Sequence, residues 1–253
     1  MPSLLYLDTT IQLSKLFAPY TVRQRIRHGL GLHSCVTSRY VRMEYMRWLE
    51  PCVHVHQLLR EETARNRITA LSEVQARTLL VFGRLRNKML SILTWLHRYS
   101  GGDARMALLQ LENLIDYRLA DLFDADVTEL PDPITCPLMD LRAVSQGDGF
   151  RLDPDIPYRK GQMPCHIVEF MAEHRTQLQA LAEALAADYS KMATACRRVL
   201  ADPREAQGST CKTLGDVIIA LQTPEDAILY TTDTSFDIIC PTLGIHHIRE
   251  PLP

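Results

Sequence analysis

Short apolar runs near both ends of the chain predict buried β-strands, and a long stretch of helical periodicity separates them. Leu4–Leu7 is a four-residue apolar run that ends at Asp8, and a second short strand is predicted over 34–37. Towards the other end, 227–232 is rich in residues with high β-propensity, and 245–248 predicts a final strand. Strands that alternate with helices predict a parallel α/β sheet assembled from the two ends of the chain.

Helices are predicted after the early strands and through the middle of the chain. A helix is expected over 11–17, and Ser38 is expected to cap a second helix that contains Glu44. Apolar residues recur at helical spacings through most of 52–205. Within that stretch, 125–162 is rich in Pro, Asp and Gly and predicts a long loop with little regular structure.

The last 50 residues return to the strand and helix pattern of the first 50. A short helix containing Asp216 is predicted over 213–221, and a second helix over 235–243 is expected to end at Gly244. We therefore expect an α/β core formed by residues 1–51 and 207–253, with residues 52–206 as a helical insertion.

Composition places the chain among globular proteins and excludes several classes. Apolar residues make up 46% of the 253 residues and charged residues 23%, which excludes general disorder. No apolar run approaches the roughly 20 residues of a membrane helix, and no basic segment precedes the first apolar run, so no signal peptide is expected. The seven cysteines are scattered without a CxxC pair, which argues against a disulfide framework or a zinc ribbon. Reduced thiols in a cytoplasmic protein are expected.

The net charge of −2 hides an asymmetry between the two parts of the chain. Residues 1–105 carry 16 Lys and Arg against 7 Asp and Glu, whereas the remainder carries 12 against 23. A basic half can attract a polyanion, and an acidic half can hold a divalent metal ion or simply be solvated. A candidate nucleic-acid contact stripe, weakly indicated beside the alternative of ordinary surface charge, contains Arg60, Arg67, Arg84 and Lys88.

Several carboxylates are predicted to approach one edge of the sheet. Asp8 and Asp233 follow two predicted strands, and ligands of open parallel sheets bind at the carboxyl ends of strands. Glu44 and Asp216 approach from helices, and Asp237 lies one helical turn beyond Asp233. Carboxylates gathered in one cleft repel each other unless cations neutralise them, and their hard oxygen atoms favour Mg²⁺ or Mn²⁺.

Three segments together resemble the PIN-domain family of metal-dependent nucleases. They are Leu5-Tyr6-Leu7-Asp8-Thr9-Thr10, the segment Arg42-Met43-Glu44-Tyr45, and the C-terminal set of Gly215–Ala220, Leu229–Phe236 and Leu243-Gly244-Ile245. Asp8 and Glu44 are 36 residues apart, and Asp216 and Asp233 are 17 apart. The resemblance covers about 50 residues at the N-terminus and about 45 at the C-terminus.

The resemblance implies a PIN-like fold, an activity and a set of site residues. The family's four metal-binding acids match Asp8, Glu44, Asp216 and Asp233, and the aromatic residue that packs below the site matches Phe236. The implied activity is phosphodiester hydrolysis, in which two Mg²⁺ or Mn²⁺ ions activate water and stabilise the leaving oxygen. RNA is favoured over DNA as the substrate. The hydroxyl groups of Thr9 or Thr232 could assist a carboxylate or a phosphate oxygen.

Two departures from the family pattern concern the assignment of the acids. The 171 residues between Glu44 and Asp216 far exceed the usual length, which an inserted helical module explains. Many members carry an acid directly before the aromatic residue, where this chain has Ser235, and Asp237 is a possible substitute.

Each acid also has an ordinary structural alternative. Asp8 could be a helix N-cap, Glu44 a surface residue, Asp216 a residue favoured by the helix dipole, Asp233 a cap and Asp237 a solvated side chain. A second functional class also stays open: a non-catalytic PIN-like scaffold that binds a partner protein through the helical insertion. The resemblance also suggests a homodimer, because PIN-like nucleases often dimerise.

Overall fold

The computed structural model describes residues 3–125, 127–130, 134, 141–153 and 166–250. Contacts within the chain separate two compact units. The sheet unit takes its described residues from 1–43, 124–139 and 157–253. The helical unit takes its described residues from 44–123 and 140–156.

A parallel five-stranded sheet forms the centre of the sheet unit. Its strands are β1 (Leu4–Leu7), β2 (Ser34–Ser38), β3 (Thr128–Leu130), β6 (Ala227–Thr231) and β7 (His247–Arg249), in the order β3-β2-β1-β6-β7. β1 is the central strand, because Leu4 lies opposite Ser34 of β2 on one side and Ala227 of β6 on the other. The all-apolar sequence of β1 fits this position, since a central parallel strand is covered on both faces.

The chain changes direction across this sheet between β1 and β6. From β1 it builds outwards through β2 to β3, and on the other side it builds outwards from β6 to β7. The carboxyl ends of β1 and β6 therefore flank the point where the strand order reverses. In open α/β sheets such a switch point opens a crevice in which ligands bind.

Helices of the sheet unit cover the sheet and one another. They are α1 (Thr9–Phe17), α2 (Tyr20–Leu30), α9 (Ile167–Glu173), α10 (Arg175–Ala184), α11 (Ser190–Ala201), α12 (Ser209–Thr213), α13 (Gly215–Leu221) and α14 (Phe236–Leu243), together with the first part of α3 (Arg39–Met46). α2 packs through Val22, Ile26 and Leu30, which recur every four residues and join the buried cluster around Leu5 and Leu7.

The helical unit holds a group of helices and a two-stranded hairpin. Its helices are α4 (Leu49–Arg65), α5 (Ala70–Leu79), α6 (Gly83–Ser100), α7 (Ala104–Asn113) and, after a π-helical turn at Leu114–Arg118, most of α8 (Leu119–Asp124). β4 (Arg142–Gln146) pairs with β5 (Gly149–Asp153) in antiparallel fashion. α4 contacts α5, α6, α7 and β5, so it is the central helix of this unit.

The structure confirms the α/β class and most of the predicted helix boundaries near the termini. Ser38 caps α3 as expected, because its Oγ accepts a hydrogen bond of 3.2 Å from the backbone N–H of Val41. α14 ends at Gly244, whose φ of 72° lies in the left-handed region that favours glycine. Both features come from single residues whose conformational preferences are strong, and so the sequence revealed them.

Two predictions about the middle of the chain are wrong. The predicted loop over 125–162 contains β3 and the β4–β5 hairpin among its described residues, and the turn Gly147-Asp148 between Gln146 and Gly149 was the missed signal. The sequence also predicts one long helix with Pro164 at its first position that runs to about Leu200. The structure instead has three helices in its described residues there, α9 to α11. α10 and α11 fold back on each other, and Arg197 donates to the carbonyl oxygen of Ala182. The turn between them is rich in Ala and contains no Gly or Pro to mark it.

The two compact units divide the chain differently from the predicted core and insertion. The described residues from 166 to 206 belong to the sheet unit, where α10 packs against α14. Residues 44–51, which were assigned to the core, belong to the helical unit. Among the described residues, none of the helices combines the length and the apolar character required to cross a bilayer.

Candidate functional site

Asp8 is the centre of a hydrogen-bonded group at the carboxyl end of β1. It directly follows the strand and is only 2% exposed. Its Oδ2 atom accepts hydrogen bonds from the hydroxyl group of Thr10 at 2.6 Å and from that of Thr231, the last residue of β6, at 2.7 Å. A carboxylate on one strand is therefore held by a hydroxyl group on the neighbouring strand, across the switch point of the sheet.

The same group continues from Thr231 to Asp233 and Asp216. The Oγ1 atom of Thr231 accepts a hydrogen bond from the backbone N–H of Asp233 at 3.0 Å. Asp233 Oδ1 accepts one from the backbone N–H of Ser235, and the Ser235 hydroxyl donates to Asp216 Oδ2 at 2.7 Å. Three acids from β1, the end of β6 and α13 are thus linked through neutral hydroxyl and amide groups.

Burial raises the pKa of Asp8 above its ordinary value, because a charged carboxylate loses its hydration inside the protein. The hydroxyl groups of Thr10 and Thr231 oppose this shift by donating to the carboxylate. The backbone N–H of Thr10 also lowers the pKa, although its geometry is not that of a capping hydrogen bond. The negative charge of Asp233 raises the pKa further, because each carboxylate disfavours ionisation of the other.

The acids have the type of ligand atom that a hard cation prefers, but they are not arranged around one position as ligands of a bound cation would be. Carboxylate oxygen atoms are the ligands that Mg²⁺ and Mn²⁺ prefer. In the described part of the chain, however, no three or more His, Cys, Asp or Glu side chains are arranged as a metal-binding group. The oxygen atoms of Asp8 and Asp216 that are described here face hydroxyl groups of Thr10, Thr231 and Ser235.

Glu44, the second acid of the predicted set, belongs to the helical unit, whereas the other three belong to the sheet unit. It lies in α3, is partly buried, and its charge raises the pKa of Lys88. The electrostatic interaction of Glu44 that is described is therefore with a cation of its own unit. Its assignment to the site stays a prediction.

Asp237 is engaged away from the Asp8 group. It is exposed near the start of α14, and its carboxylate accepts hydrogen bonds from Nε of Arg249 and from Nε2 of His247. The Arg249–Asp237 ion pair has an N–O distance of 2.9 Å. This arrangement matches the alternative of an exposed, solvated acid, with the addition of a cationic partner on β7.

The hydroxyl groups that bond Asp8 belong to Thr10 and Thr231, each one position away from a residue named from the sequence. The expectation that Thr9 or Thr232 assists a carboxylate or a phosphate oxygen stays a prediction. The backbone N–H of Thr232 donates to Thr10 Oγ1 at 3.0 Å. Successive side chains of a strand point to opposite faces of the sheet. A shift of one residue in the predicted end of β6 therefore exchanges the positions of the Thr231 and Thr232 hydroxyl groups. Phe236 is fully buried, as expected of a residue that packs beneath the site.

The predicted nucleic-acid contacts lie in the helical unit and differ in exposure. Arg60, Arg67 and Arg84 are exposed. Lys88 is partly buried, with Nζ at 5.0 Å from the ring centroid of Trp48, and burial lowers its pKa to about 8. Lys88 is therefore a packing residue over an aromatic ring rather than a free surface cation.

The sequence did not identify Thr10, Thr231 and Ser235 as members of the site. Thr10 and Thr231 lie 221 residues apart in sequence, with their hydroxyl oxygen atoms 3.4 Å apart. Only the register of β1 against β6, where Leu7 lies opposite Tyr230, reveals this pairing. The threonine-rich ends of both predicted strands were the one signal available in the sequence.

The site is thus a set of three acids, joined by hydroxyl and amide groups, at the switch point of a parallel sheet. Known proteins provide no further guidance, because comparisons with family models, with curated proteins and with solved structures found no match to this chain. Any function must be argued from the geometry of the site itself.

Proposed function

We propose that the chain is a Mg²⁺- or Mn²⁺-dependent nuclease with a PIN-like core, which hydrolyses phosphodiester bonds, with RNA favoured over DNA. The observation that carries this proposal is the position of Asp8 and Asp233 at the switch point of the sheet, with Asp216 linked to them through Ser235. Ligand sites of open α/β sheets lie at this point. In this proposal the helical unit is an insertion into the PIN-like core.

The charges of the group support a cation as its ligand. Asp233 raises the pKa of Asp8, and the hydrogen-bonding partners of Asp8 are neutral hydroxyl groups rather than cationic side chains. Bringing carboxylates together with neutral donors has a free-energy cost that a divalent cation would remove. Asp8 differs in this respect from Asp237, which is paired with the cationic side chain of Arg249.

Each residue has a distinct task in the proposed site. Asp8, Asp216 and Asp233 would hold the cation, while Glu44 stays a predicted fourth ligand. Thr10 and Thr231 orient the Asp8 carboxylate, and Ser235 orients that of Asp216. Such outer hydrogen bonds fix ligand geometry in metal sites generally. When bound, the cation supplies activation of water and stabilisation of the leaving oxygen.

The direct test is cleavage of end-labelled single-stranded RNA and DNA in Mn²⁺, with an EDTA control. Asp216→Asn is the test variant, because the amide keeps an acceptor for the Ser235 hydroxyl and removes the charge. Asp237→Asn is the matched control, because it removes an acid of the same unit that is paired with Arg249.

The proposal predicts cutting by the wild type and by Asp237→Asn, and none by Asp216→Asn or in EDTA. Faster cutting of RNA than of DNA would support the preference for RNA. Cutting that persists unchanged in Asp216→Asn would contradict the assignment. Absence of cutting by a folded wild-type protein on either substrate would contradict the nuclease proposal.

A second candidate is a non-catalytic PIN-like scaffold that binds a partner protein through the helical unit. It is favoured by one observation, that no metal-binding group of three side chains is formed among the residues described. A scaffold predicts that Mn²⁺ leaves the melting temperature unchanged, whereas a carboxylate site that binds Mn²⁺ raises it by mass action.

A further inference from the structure

A buried polar stripe follows one side of α1 from the Asp8 site. Asp8, Gln12 and Lys15 lie four and three residues apart, so they share a face of the helix. Their exposed fractions are 2%, 0% and 3%. Buried polar groups in native proteins almost always have hydrogen-bonding partners, so each member of the stripe raises the question of what satisfies it.

Gln12 differs from the other two members of the stripe. The Asp8 carboxylate accepts from two hydroxyl groups, and Lys15 Nζ donates to the carbonyl oxygen of Ala125 at 2.9 Å. The Oε1 and Nε2 atoms of Gln12 are both buried, and neither has a hydrogen-bonding partner among the described residues. A buried amide without partners is unfavourable, which points to a ligand or solvent molecule at this position.

The helix places Gln12 one turn after Asp8 and on the same face. The backbone N–H of Gln12 donates to the carbonyl oxygen of Asp8 at 3.3 Å, so one helical turn separates the two residues. Side chains of an α-helix lean towards its N-terminus and cover the preceding turn. A glutamine at position 12 therefore lies over the turn of α1 that begins next to Asp8, so the Asp8 group is the site that its amide is placed to serve. Because Gln12 is fully buried, it acts through another group rather than on a substrate.

We propose that Gln12 is a positioning residue of the Asp8 site, whose amide holds the Asp8 carboxylate for a divalent cation through one ordered water molecule. This inference rests on the proposed function. A buried water molecule requires two to four polar partners, and the amide oxygen, the amide nitrogen and the carboxylate supply them. Outer hydrogen bonds of this kind typically contribute about 10- to 100-fold to metal affinity or activity.

The experiment compares Gln12→Met with the matched control Thr78→Val. Methionine keeps the length of glutamine and removes both polar atoms. Thr78 is also fully buried with a hydroxyl group that has no partner among the described residues, but it lies in the helical unit. The melting temperature of each 253-residue chain is measured in EDTA and across a Mn²⁺ titration, which provides a dissociation constant for Mn²⁺. Cleavage kinetics in Mn²⁺ are measured separately.

Gln12→Met is expected to melt at or above the wild-type temperature in EDTA and to bind Mn²⁺ about 10- to 100-fold more weakly. Its kcat should fall while KM stays within about twofold, because the residue does not touch substrate. Thr78→Val should bind Mn²⁺ as the wild type does.

A wild-type dissociation constant for Mn²⁺ in Gln12→Met would overturn the inference about Gln12, whatever its melting temperature in EDTA. If the wild type itself shows no response to Mn²⁺, the inference fails together with the metal-dependent function. The two failures are therefore distinguished by the wild-type titration alone.

Discussion

Two aspartates, one in each unit, precede a helix in the same way and serve different purposes. Asp103 in the helical unit precedes α7 and accepts a hydrogen bond of 2.9 Å from the backbone N–H of Met106, which is an ordinary N-cap. Asp8 in the sheet unit precedes α1 with a similar extended backbone, but its side chain makes no capping hydrogen bond. It is buried and faces the hydroxyl groups of Thr10 and Thr231 instead.

This difference tests the alternative that Asp8, like Asp103, is only the N-cap of a helix. The start of α7 accounts fully for Asp103, which is exposed and bonded to its own helix. The start of α1 does not account for the burial of Asp8 or for its bond to a strand 223 residues away. A buried acid in the helical unit, Glu62, is paired with Arg65 and Arg77, whereas Asp8 lies near another acid, Asp233. Asp8 and Asp233 thus bring two negative charges together at the switch point of the sheet, which favours a ligand of opposite charge.

The largest expected difference between the two aspartates is in cleavage. Asp8→Asn should lower the rate at least about a hundredfold, because outer-sphere changes alone lower activity by up to that factor. Asp103→Asn should leave the rate unchanged, since its role ends at the start of α7. Rates of RNA cleavage in Mn²⁺ check both variants. Equal rates for Asp8→Asn and the wild type would show that the two aspartates are alike.

A smaller effect is expected from the hydroxyl group that joins β6 to Asp8. Thr231→Val keeps the shape and β-branching of the side chain but removes the donor to Asp8 Oδ2. Cleavage should fall about tenfold as a result. Thr94→Val is the matched control, because Thr94 is exposed in the helical unit and donates only to the carbonyl oxygen of Leu90. A rate for Thr231→Val equal to that of Thr94→Val would exclude a role for this hydroxyl.

In EDTA, the free energy of unfolding should depend on pH differently in the wild type and in Asp8→Asn. Since burial raises the pKa of Asp8 in the folded protein, its favourable contribution is complete below the ordinary aspartate pKa and is lost as pH rises through the raised value. The free energy of unfolding of Asp8→Asn should therefore increase relative to that of the wild type as pH rises, by at most about 1.4 kcal/mol per pH unit. Urea denaturation from pH 4 to 8 measures this difference, and a difference independent of pH would contradict it.

The smallest expected effect concerns the cap in the helical unit. Asp103→Ala should lower the free energy of unfolding by about 1 kcal/mol, because the N–H of Met106 loses its acceptor. Asp8→Asn, at the same position before α1, should cause no such loss at pH 7 in EDTA. Urea denaturation of both variants provides the comparison. A loss of similar size in Asp8→Asn would mean that Asp8 stabilises its helix as Asp103 does.

The sequence predicts the parts of this molecule in which one residue determines one feature. The apolar run of β1, the cap at Ser38 and the left-handed Gly244 are of this kind. Asp8 and Asp233 were located because acids that follow parallel strands meet at one edge of a sheet. The α10–α11 reversal and the pairing of Thr10 with Thr231 depend on tertiary register, which local periodicity does not contain.

The buried amide of Gln12 is another feature that local sequence periodicity does not reveal. In the sequence it is one polar residue in a helix whose neighbours Ile11 and Leu16 are apolar, and it resembles a solvated position. Its burial and its lack of a partner among the described residues become visible only once α1 is packed. Polar residues on the buried faces of helices therefore require the structure for their interpretation.

The measurement that tests the central claim most directly is the change in melting temperature on adding Mn²⁺ to the wild type, Asp8→Asn and Asp103→Asn. If Asp8, Asp216 and Asp233 hold a divalent cation, the wild type and Asp103→Asn should be stabilised progressively as Mn²⁺ concentration rises, and Asp8→Asn should not respond. A wild-type melting temperature that does not change with Mn²⁺, or an equal rise in Asp8→Asn, would contradict a cation site at the switch point of the sheet.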